Sequence, residues 1–275
     1  MKNTKKLVSF VAAIMALTVV SSSSVSVFAT AHAEEEKRYY DVQPIASATI
    51  NEDLVTYTSV EQTSVRLTGG MPIYYTTTLT NACGPVAGSI IVGYYDKYFA
   101  DLIPNYSTIY AASGKFRMMD STYIPNLQQQ LYTAMRTNVD DVGVSESDCL
   151  NGLKSYVQGK GSSLSYTSLK GATFNENGFI NAMSALEPVL LFCNSVTLYD
   201  IFVTEDDTSI SQIGQSTNHI MVGGGYLKLK YYNGTNNFRT DIFIEARTGW
   251  LTNSLGYVKL EDASWIDSAY RVSIY

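Results

Sequence analysis

The spacing of apolar positions changes along the chain, and each change predicts a different kind of element. Between residues 85 and 99 the apolar side chains recur three or four positions apart, which predicts a helix with one apolar face. Gly84-Pro85 suits the start of this helix, because proline in a first turn loses no needed hydrogen bond. Similar spacing predicts helices at residues 124–136, 146–158 and 179–186.

Segments rich in β-branched and aromatic residues predict strands, and most of them lie in the second half. Two short strands are expected at residues 54–58 and 73–76, separated by the glycine pair 69–70; residues 34–46 show no clear period. Later strands are expected at residues 189–193, 219–232 and 238–247, with a turn at 233–237 between the last two. Helices followed by mostly antiparallel strands predict an α+β fold.

The first 33 residues carry the three parts of a secretory signal peptide. Lysines at positions 2, 5 and 6 precede an apolar run at 7–20, and Ala31-His32-Ala33 supplies a site with small residues. The run is shorter than the roughly 20 residues that span a bilayer. We expect cleavage after Ala33, with Ala29 as the alternative, and export of a soluble protein without a stable membrane insertion.

This expectation divides the chain into three parts. Residues 1–33 are the signal peptide, and residues 67–275 are the main domain. Residues 34–66 lie between them as a mobile terminus, a short pro-segment or added strands. The sequence leaves the oligomeric state open.

Charge and composition narrow the classes of partner. The chain has 275 residues, with 19 Lys and Arg against 25 Asp and Glu. Loss of the three signal-peptide lysines changes the charge from −6 to 16 − 25 = −9. An acidic chain without a basic cluster beyond its first six residues argues against nucleic acid as a partner.

Three cysteines are too few for a disulfide scaffold. Cys83, Cys149 and Cys193 are an odd number, so at least one is not paired within the chain. A Cys149–Cys193 bridge is one expectation, and two small buried apolar side chains are the other. With one mature histidine and no Cys-x-x-Cys, neither a metal nor another cofactor is expected.

The segment Asn81-Ala82-Cys83-Gly84-Pro85 places a thiol at the start of the predicted helix. The first N–H groups of a helix have no partner inside it, so they favour a thiolate and can donate to a nearby oxyanion. A thiol that attacks an amide needs a base, and histidine is suited to that task near neutral pH. His32 leaves with the signal peptide, so His219 is the only histidine of the mature chain.

The motifs around these two residues resemble those of papain-like cysteine peptidases, in the branch of the bacteriocin-leader-processing enzymes. The resemblance rests on Cys83-Gly84-Pro85 with the Ala-Gly-Ser-Ile-Ile-Val-Gly-Tyr-Tyr that follows, and on the His-x-Met-x-x-x-Gly-Tyr segment from His219. The 219 − 83 = 136 residues between them fall within the roughly 130–150 of papain-type enzymes. The resemblance implies a papain-like fold, a peptide or protein substrate and an acyl-thioester intermediate. Cys83 would be the nucleophile and His219 the general base, then acid.

The same resemblance implies a third residue that orients the imidazole from the neighbouring strand. A hairpin that turns near Thr235 places position 219 opposite about position 251, with a few residues of bulge allowed. Trp250 matches an aromatic residue that the family places just after the orienting group, which selects Thr248 where Asn or Asp is usual. Glu245 and Asp241 are the nearby acids. An acceptor at Nδ1 of His219, with the other nitrogen within about 4 Å of the Cys83 sulfur, would favour catalysis. A sulfur that faces away from the ring would favour a binding role.

The sequence leaves open which side chain donates to the oxyanion and which activity the protein has. The family's side-chain donor, usually Gln, falls at Thr77, with Asn81 as the nearer amide; the N–H of Cys83 is the other donor. Because Thr77 and Thr248 depart from the family pattern, a catalytically inactive binding module on the same fold is the first alternative. A cell-wall amidase or acyltransferase is the second.

Overall fold

The structure is a computed structural model that describes residues 36–40, 57–67, 70–76, 78–113, 118–204, 208–260 and 263–275. Residues Arg38–Tyr275 form one compact unit. The predicted signal peptide, with Ala29 and Ala33, lies outside the described residues. The combination of helices with a mostly antiparallel sheet confirms the α+β class.

Five α-helices occur in the described residues, and three of them follow the predicted apolar spacing closely. Ser145 begins one of these by accepting a hydrogen bond from the backbone N–H of Asp148 (3.1 Å). The helix bounds are α1 Cys83–Asp96, α2 Tyr106–Ser113, α3 Tyr123–Ala134, α4 Glu146–Gly159 and α5 Glu176–Ser184, with a 3₁₀ turn at Val139–Asp141.

The predicted one-sided burial of α1 is wrong, because every residue of this helix is buried. Small residues allow its neighbours to approach closely: a Cβ atom added at Gly88 would lie 2.8 Å from Met135 Cε. The helix is therefore central to the main hydrophobic core.

The strands are antiparallel and belong to one large and one small sheet. Their bounds are β1 Arg38–Tyr39, β2 Ser59–Arg66, β3 Val144–Ser145, β4 Leu164–Ser168, β5 Val189–Val203, β6 Thr208–Asn233, β7 Asn236–Arg247, β8 Leu255–Lys259 and β9 Ile266–Ile274. The large sheet has the order β2-β6-β7-β8-β5-β9-β4, with β5 also paired to β6, and β1 pairs with β3.

Four of these strands close a ring, since β5 pairs with β6, β6 with β7, β7 with β8, and β8 with β5 again. Tyr199 and Tyr257 make the closing pair. They share a second, smaller hydrophobic cluster with Leu227, Leu229 and Phe243. The predicted turn at 233–237 is confirmed, because Asn233 pairs with Asn236 across a tight turn.

Two sequence expectations for the N-terminal half are wrong. Residues 73–76 form no strand, although Tyr74 is fully buried; its hydroxyl donates to the hydroxyl of Tyr106 (2.8 Å), so it packs as a core residue of a loop. Residues 38–39, expected to show no regular structure, form a strand. Of the predicted strand 54–58, residues 54–56 lie outside the described residues, and β2 begins at Ser59.

Candidate active site

Cys83 is the first residue of α1 and is 2 % exposed. Ala82 precedes it without a side-chain cap, and the N–H of Val86 already donates to the Ala82 carbonyl (2.9 Å). Because Pro85 has no N–H, the first turn contributes the N–H groups of Cys83 and Gly84 as donors without a partner inside the helix. N–H donors at the start of a helix favour a negative charge on a thiol placed there.

His219 lies in β6, is 1 % exposed, and makes a short hydrogen bond with the main chain. Its Nε2 atom is 2.7 Å from the carbonyl oxygen of Thr248. A carbonyl oxygen can only accept, so Nε2 must carry the proton. In the neutral imidazole the lone pair is therefore on Nδ1, which is the form that a base requires. The acceptor thus contacts Nε2, whereas the sequence analysis placed it at Nδ1.

Trp250 fixes the plane of the imidazole. The two rings stack with centroids 4.5 Å apart and an interplanar angle of 27°. The indole is 1 % exposed, so the stack is enclosed on this side. The hydrogen bond to Thr248 and the ring of Trp250 together restrain both the rotation and the position of His219.

The loop after β7 presents the Thr248 carbonyl through a set of local hydrogen bonds. The Thr248 hydroxyl donates to the carbonyl of Asn253 (2.8 Å) and accepts from the N–H of Trp250 (3.1 Å). Asn253 in turn donates through Nδ2 to the carbonyl of Ile213 (2.8 Å). The loop is thereby closed on itself and tied to β6.

The helix and this loop meet around the site. A Cβ atom added at Gly84 would lie 3.6 Å from Cδ1 of Ile220, so the residues directly after Cys83 and His219 face each other. A Cβ at Gly249 would lie 2.7 Å from Cγ1 of Val86. The start of α1, the start of the apolar half of β6 and the 248–254 loop therefore converge on one place.

Thr248 contacts the histidine, but through its main chain rather than through the hydroxyl that the sequence suggested. The two acids considered beside it are engaged in ion pairs. Glu245 contacts Arg66 (2.7 Å) and Arg247 (3.2 Å), and the fully buried Asp241 contacts Arg239 (2.8 Å). A neutral peptide carbonyl is thus the acceptor that contacts the imidazole, whereas the sequence suggested a side-chain hydroxyl or carboxylate.

The two candidate oxyanion donors have different outcomes. Thr77 lies outside the described residues. Asn81 has a left-handed backbone with φ of 53°, and its Nδ2 donates to Oδ1 of Asn138 (2.6 Å). That contact ties the residue two positions before Cys83 to the loop that precedes β3.

The other two cysteines are buried thiols, and no disulfide joins them. Cys149 lies against α1, with its sulfur 3.4 Å from a Cβ position at Gly84. Burial raises the pKa of Cys149 well above its usual value, and the neighbouring Cys83 raises it further. Cys193 is opposite His219 in the pairing of β5 with β6. These positions confirm the expectation of small buried side chains.

Sequence reasoning missed the residues that precede the histidine and the segment bound to them. Asn218 has a left-handed backbone with φ of 50°, and its carbonyl accepts from the N–H of Tyr40 (3.0 Å). The sequence carries only a weak signal for the first feature, because asparagine is enriched among residues with positive φ. Nothing in residues 38–40 indicates a partner 178 positions away.

Among the described residues, no group of three His, Cys, Asp or Glu side chains is arranged to hold a metal ion. The described helices include none long and apolar enough to cross a membrane. Comparison of the chain with protein-family models, curated proteins and solved structures gave no match.

Proposed function

We propose that the protein is a papain-like cysteine peptidase, with Cys83 as nucleophile and His219 as general base. The observation that carries the proposal is the Nε2 contact with the Thr248 carbonyl, which leaves the lone pair of the imidazole on Nδ1. The position of Cys83 at the start of α1 supports it, because the first N–H groups of the helix favour a thiolate. The motifs of the sequence resemble the same family.

In the proposed reaction, each proton transfer has a named donor and acceptor. His219 Nδ1 takes the proton of the Cys83 thiol, and the sulfur attacks the carbonyl carbon of the peptide bond. The N–H groups of Cys83 and Gly84 can donate to the oxyanion that forms on the former carbonyl oxygen. Nδ1 then returns the proton to the leaving amine, and an acyl-thioester remains on Cys83. Water, deprotonated by Nδ1, hydrolyses this thioester and restores the thiol.

The Thr248 carbonyl, which is neutral, affects how strongly His219 can act as a base. A peptide carbonyl stabilises imidazolium by its dipole, whereas a carboxylate would do so by a full charge. The Thr248 carbonyl is an amide oxygen, like the side-chain oxygen of asparagine. The two would therefore stabilise the imidazolium in the same way.

A catalytically inactive binding module is the second candidate, and one observation favours it. Cys83 and His219 are only 2 % and 1 % exposed, so a substrate has no direct access to either side chain in this conformation. A module of this kind would bind its partner away from the sulfur.

We also propose that the protein is exported, on the basis of the lysines, apolar run and small residues of positions 1–33. Mass determination of the N-terminus after expression in a secreting host tests this. The expected product begins at Glu34, or at Thr30 under the alternative cleavage, and an intact N-terminus would contradict export.

A peptide-library digest tests the peptidase. The wild type should give product peptides that are absent with Cys83→Ala and with His219→Ala. Cys149→Ala is the matched control, because it removes a thiol that borders α1 without touching the reacting atoms, and it should retain cleavage. Cleavage that survives Cys83→Ala would reject the mechanism. Labelling by a thiol alkylator should concentrate on Cys83 over Cys149 and Cys193.

A further inference from the structure

We propose that a cavity between the turn before α5 and the residues after β8 binds a free α-amino acid with an apolar side chain. The cavity has a volume of about 420 Å³, and it is lined by residues of the segment 170–176 and by Leu260, Ala263 and Ser264. This volume falls in the range of small-molecule sites, roughly 300–1,000 Å³. Neither Cys83 nor His219 lines the cavity, so the inference goes beyond the proposed function.

Main-chain contacts hold both sides of the cavity in place. Lys170 pairs with Phe174 across the turn that precedes α5. On the other side, the N–H of Ala263 donates to the carbonyl of Leu260 (3.3 Å). The cavity is therefore formed by the fold itself, and a ligand would not have to order these segments when it binds.

Lys170 supplies a positive charge with donors to spare. Its Nζ atom donates to the carbonyl of Ala263 (3.3 Å), and both residues line the cavity. An ammonium group has three donors, and the other two have no protein partner among the described residues. They can therefore bind a carboxylate in the cavity.

Glu176, the first residue of α5, supplies a negative charge. The hydroxyl of Tyr226 donates to its Oε1 atom (2.7 Å), which fixes the carboxylate. Its Oε2 atom has no protein hydrogen-bond partner among the described residues, and no ion pair joins Glu176 to Lys170. Oε2 can therefore accept from an ammonium group in the cavity.

Phe174 and Leu260 supply the apolar part of the lining. Leu260 is 8 % exposed, and the ring of Phe174 packs on that of Phe179 with centroids 5.9 Å apart. An apolar side chain placed against them is removed from water. The lining thus has separate partners for a carboxylate, an ammonium group and an apolar side chain. An apolar α-amino acid carries these three groups in one small molecule.

Isothermal titration calorimetry of the full chain with L-leucine tests the site. L-leucinamide lacks the carboxylate, N-acetyl-L-leucine lacks the ammonium group, and glycine lacks the apolar side chain. We expect L-leucine to bind, and each of the other three to bind at least tenfold more weakly. The absence of leucine binding at millimolar concentration would overturn the proposal, and so would a glycine affinity equal to that of leucine.

The two leucine analogues also represent the ends of a peptide chain, because a terminal residue carries only one of the two charges. If either analogue binds as tightly as leucine, the cavity fits the end of a peptide and the proposal of a free amino acid is overturned.

Substitution of each charged residue locates the ligand in this cavity. Lys170→Gln should weaken leucine binding at least tenfold and abolish the difference between leucine and leucinamide, because only the contact with the carboxylate is lost. Glu176→Gln keeps an oxygen for the Tyr226 hydroxyl and should abolish the difference between leucine and N-acetyl-leucine. Lys154→Gln removes an exposed lysine of α4 and is the control, which should match the wild type. Leucine binding that is unchanged in both Lys170→Gln and Glu176→Gln would overturn the proposal.

Discussion

A peptide carbonyl, and not a side-chain group, accepts the hydrogen bond from Nε2 of His219, and this determines how substitutions at Thr248 should act. The carbonyl survives any substitution, but the hydroxyl that closes the loop does not. Thr248 is therefore a positioning residue for the proposed reaction, acting through its loop.

For Thr248→Val we expect a fall in kcat of at least tenfold with little change in KM. The valine leaves the Asn253 carbonyl without its donor and the Trp250 N–H without its acceptor, which costs about 1–3 kcal/mol when buried. Steady-state kinetics and a urea titration measure the two effects. Thr248→Ser keeps the hydroxyl and should restore most of kcat; equal kcat in wild type and Thr248→Val would contradict the positioning role.

At this scale the sequence predicts residues whose side chains carry the chemistry. Cys83, His219 and Trp250 stand out because thiol, imidazole and indole are rare side chains at positions with recognisable neighbours. The part of Thr248 that contacts the histidine could not be predicted, because every residue has a carbonyl and only the fold decides where it points. The contact of Tyr40 with the Asn218 carbonyl was missed for the same reason, since it is also made by the main chain.

At the scale of elements, the contact between α1 and the 248–254 loop should be sensitive to a single methyl group. Gly249 combines φ of 79° with a Cβ position 2.7 Å from Val86 Cγ1. We expect Gly249→Ala to lower the free energy of unfolding by about 1–3 kcal/mol, from backbone strain and crowding together. Denaturant titration measures this.

The controls separate the two causes. Gly171→Ala adds a methyl group where nothing lies within 4 Å, and should change stability by less than about 0.5 kcal/mol. In a double-mutant cycle, Val86→Ala should relieve the crowding but not the strain. Additive effects of the two substitutions would show that the contact is not tight.

Helices and strands were predicted correctly where the apolar residues are regularly spaced. They were missed where the apolar residues show no such spacing. The 26-residue β6 was predicted only from His219, because residues 208–217 are mostly small and polar yet pair along the polar half of β5. Helix α2 was missed because Tyr106–Ser113 is short and its apolar residues do not form a distinct helical face. Residues 208–217 are stabilised by pairing with β5, and a short window of sequence around them does not contain that partner.

For the whole molecule, one buried carboxyl should shape the pH dependence of stability. Asp96, at the end of α1, is fully buried and accepts from the N–H of Ile103 (2.7 Å). Burial raises its pKa from 3.8 to about 6. Between these pH values the folded state binds more protons than the unfolded state, so Asp96 makes the protein less stable as pH rises.

We expect Asp96→Asn to remove this loss, which amounts to about 2 kcal/mol between pH 4 and pH 7 at about 1.36 kcal/mol per pKa unit. Urea titrations at several pH values measure the difference between variant and wild type. Asp200→Asn, an exposed position in β5 that is not among the charges acting on Asp96, is the control and should follow the wild type. Parallel curves for wild type and Asp96→Asn would contradict the assignment.

The sequence predicted the class of the whole fold but not the order of its strands. A run of helices followed by a run of mostly antiparallel strands suffices for α+β. The ring depends on Tyr199 meeting Tyr257, and on β5 and β6 each having three neighbouring strands. These pairings join segments that are far apart in the sequence. They depend on how the segments pack, so the local sequence patterns do not predict them.

The pairing of β2 with β6 has a consequence for how the chain folds as it is made. Ser59 is opposite Tyr232, and Arg66 is opposite Gly225, so β2 is synthesised about 160 residues before its partner. Synthesis proceeds from the N-terminus at roughly 5–20 residues per second, so β2 waits about ten seconds or more as an unpaired segment. Contacts of such long range form slowly. A ribosome-bound chain that ends before residue 225 should therefore leave β2 open to proteases, chaperones or another copy of the same strand.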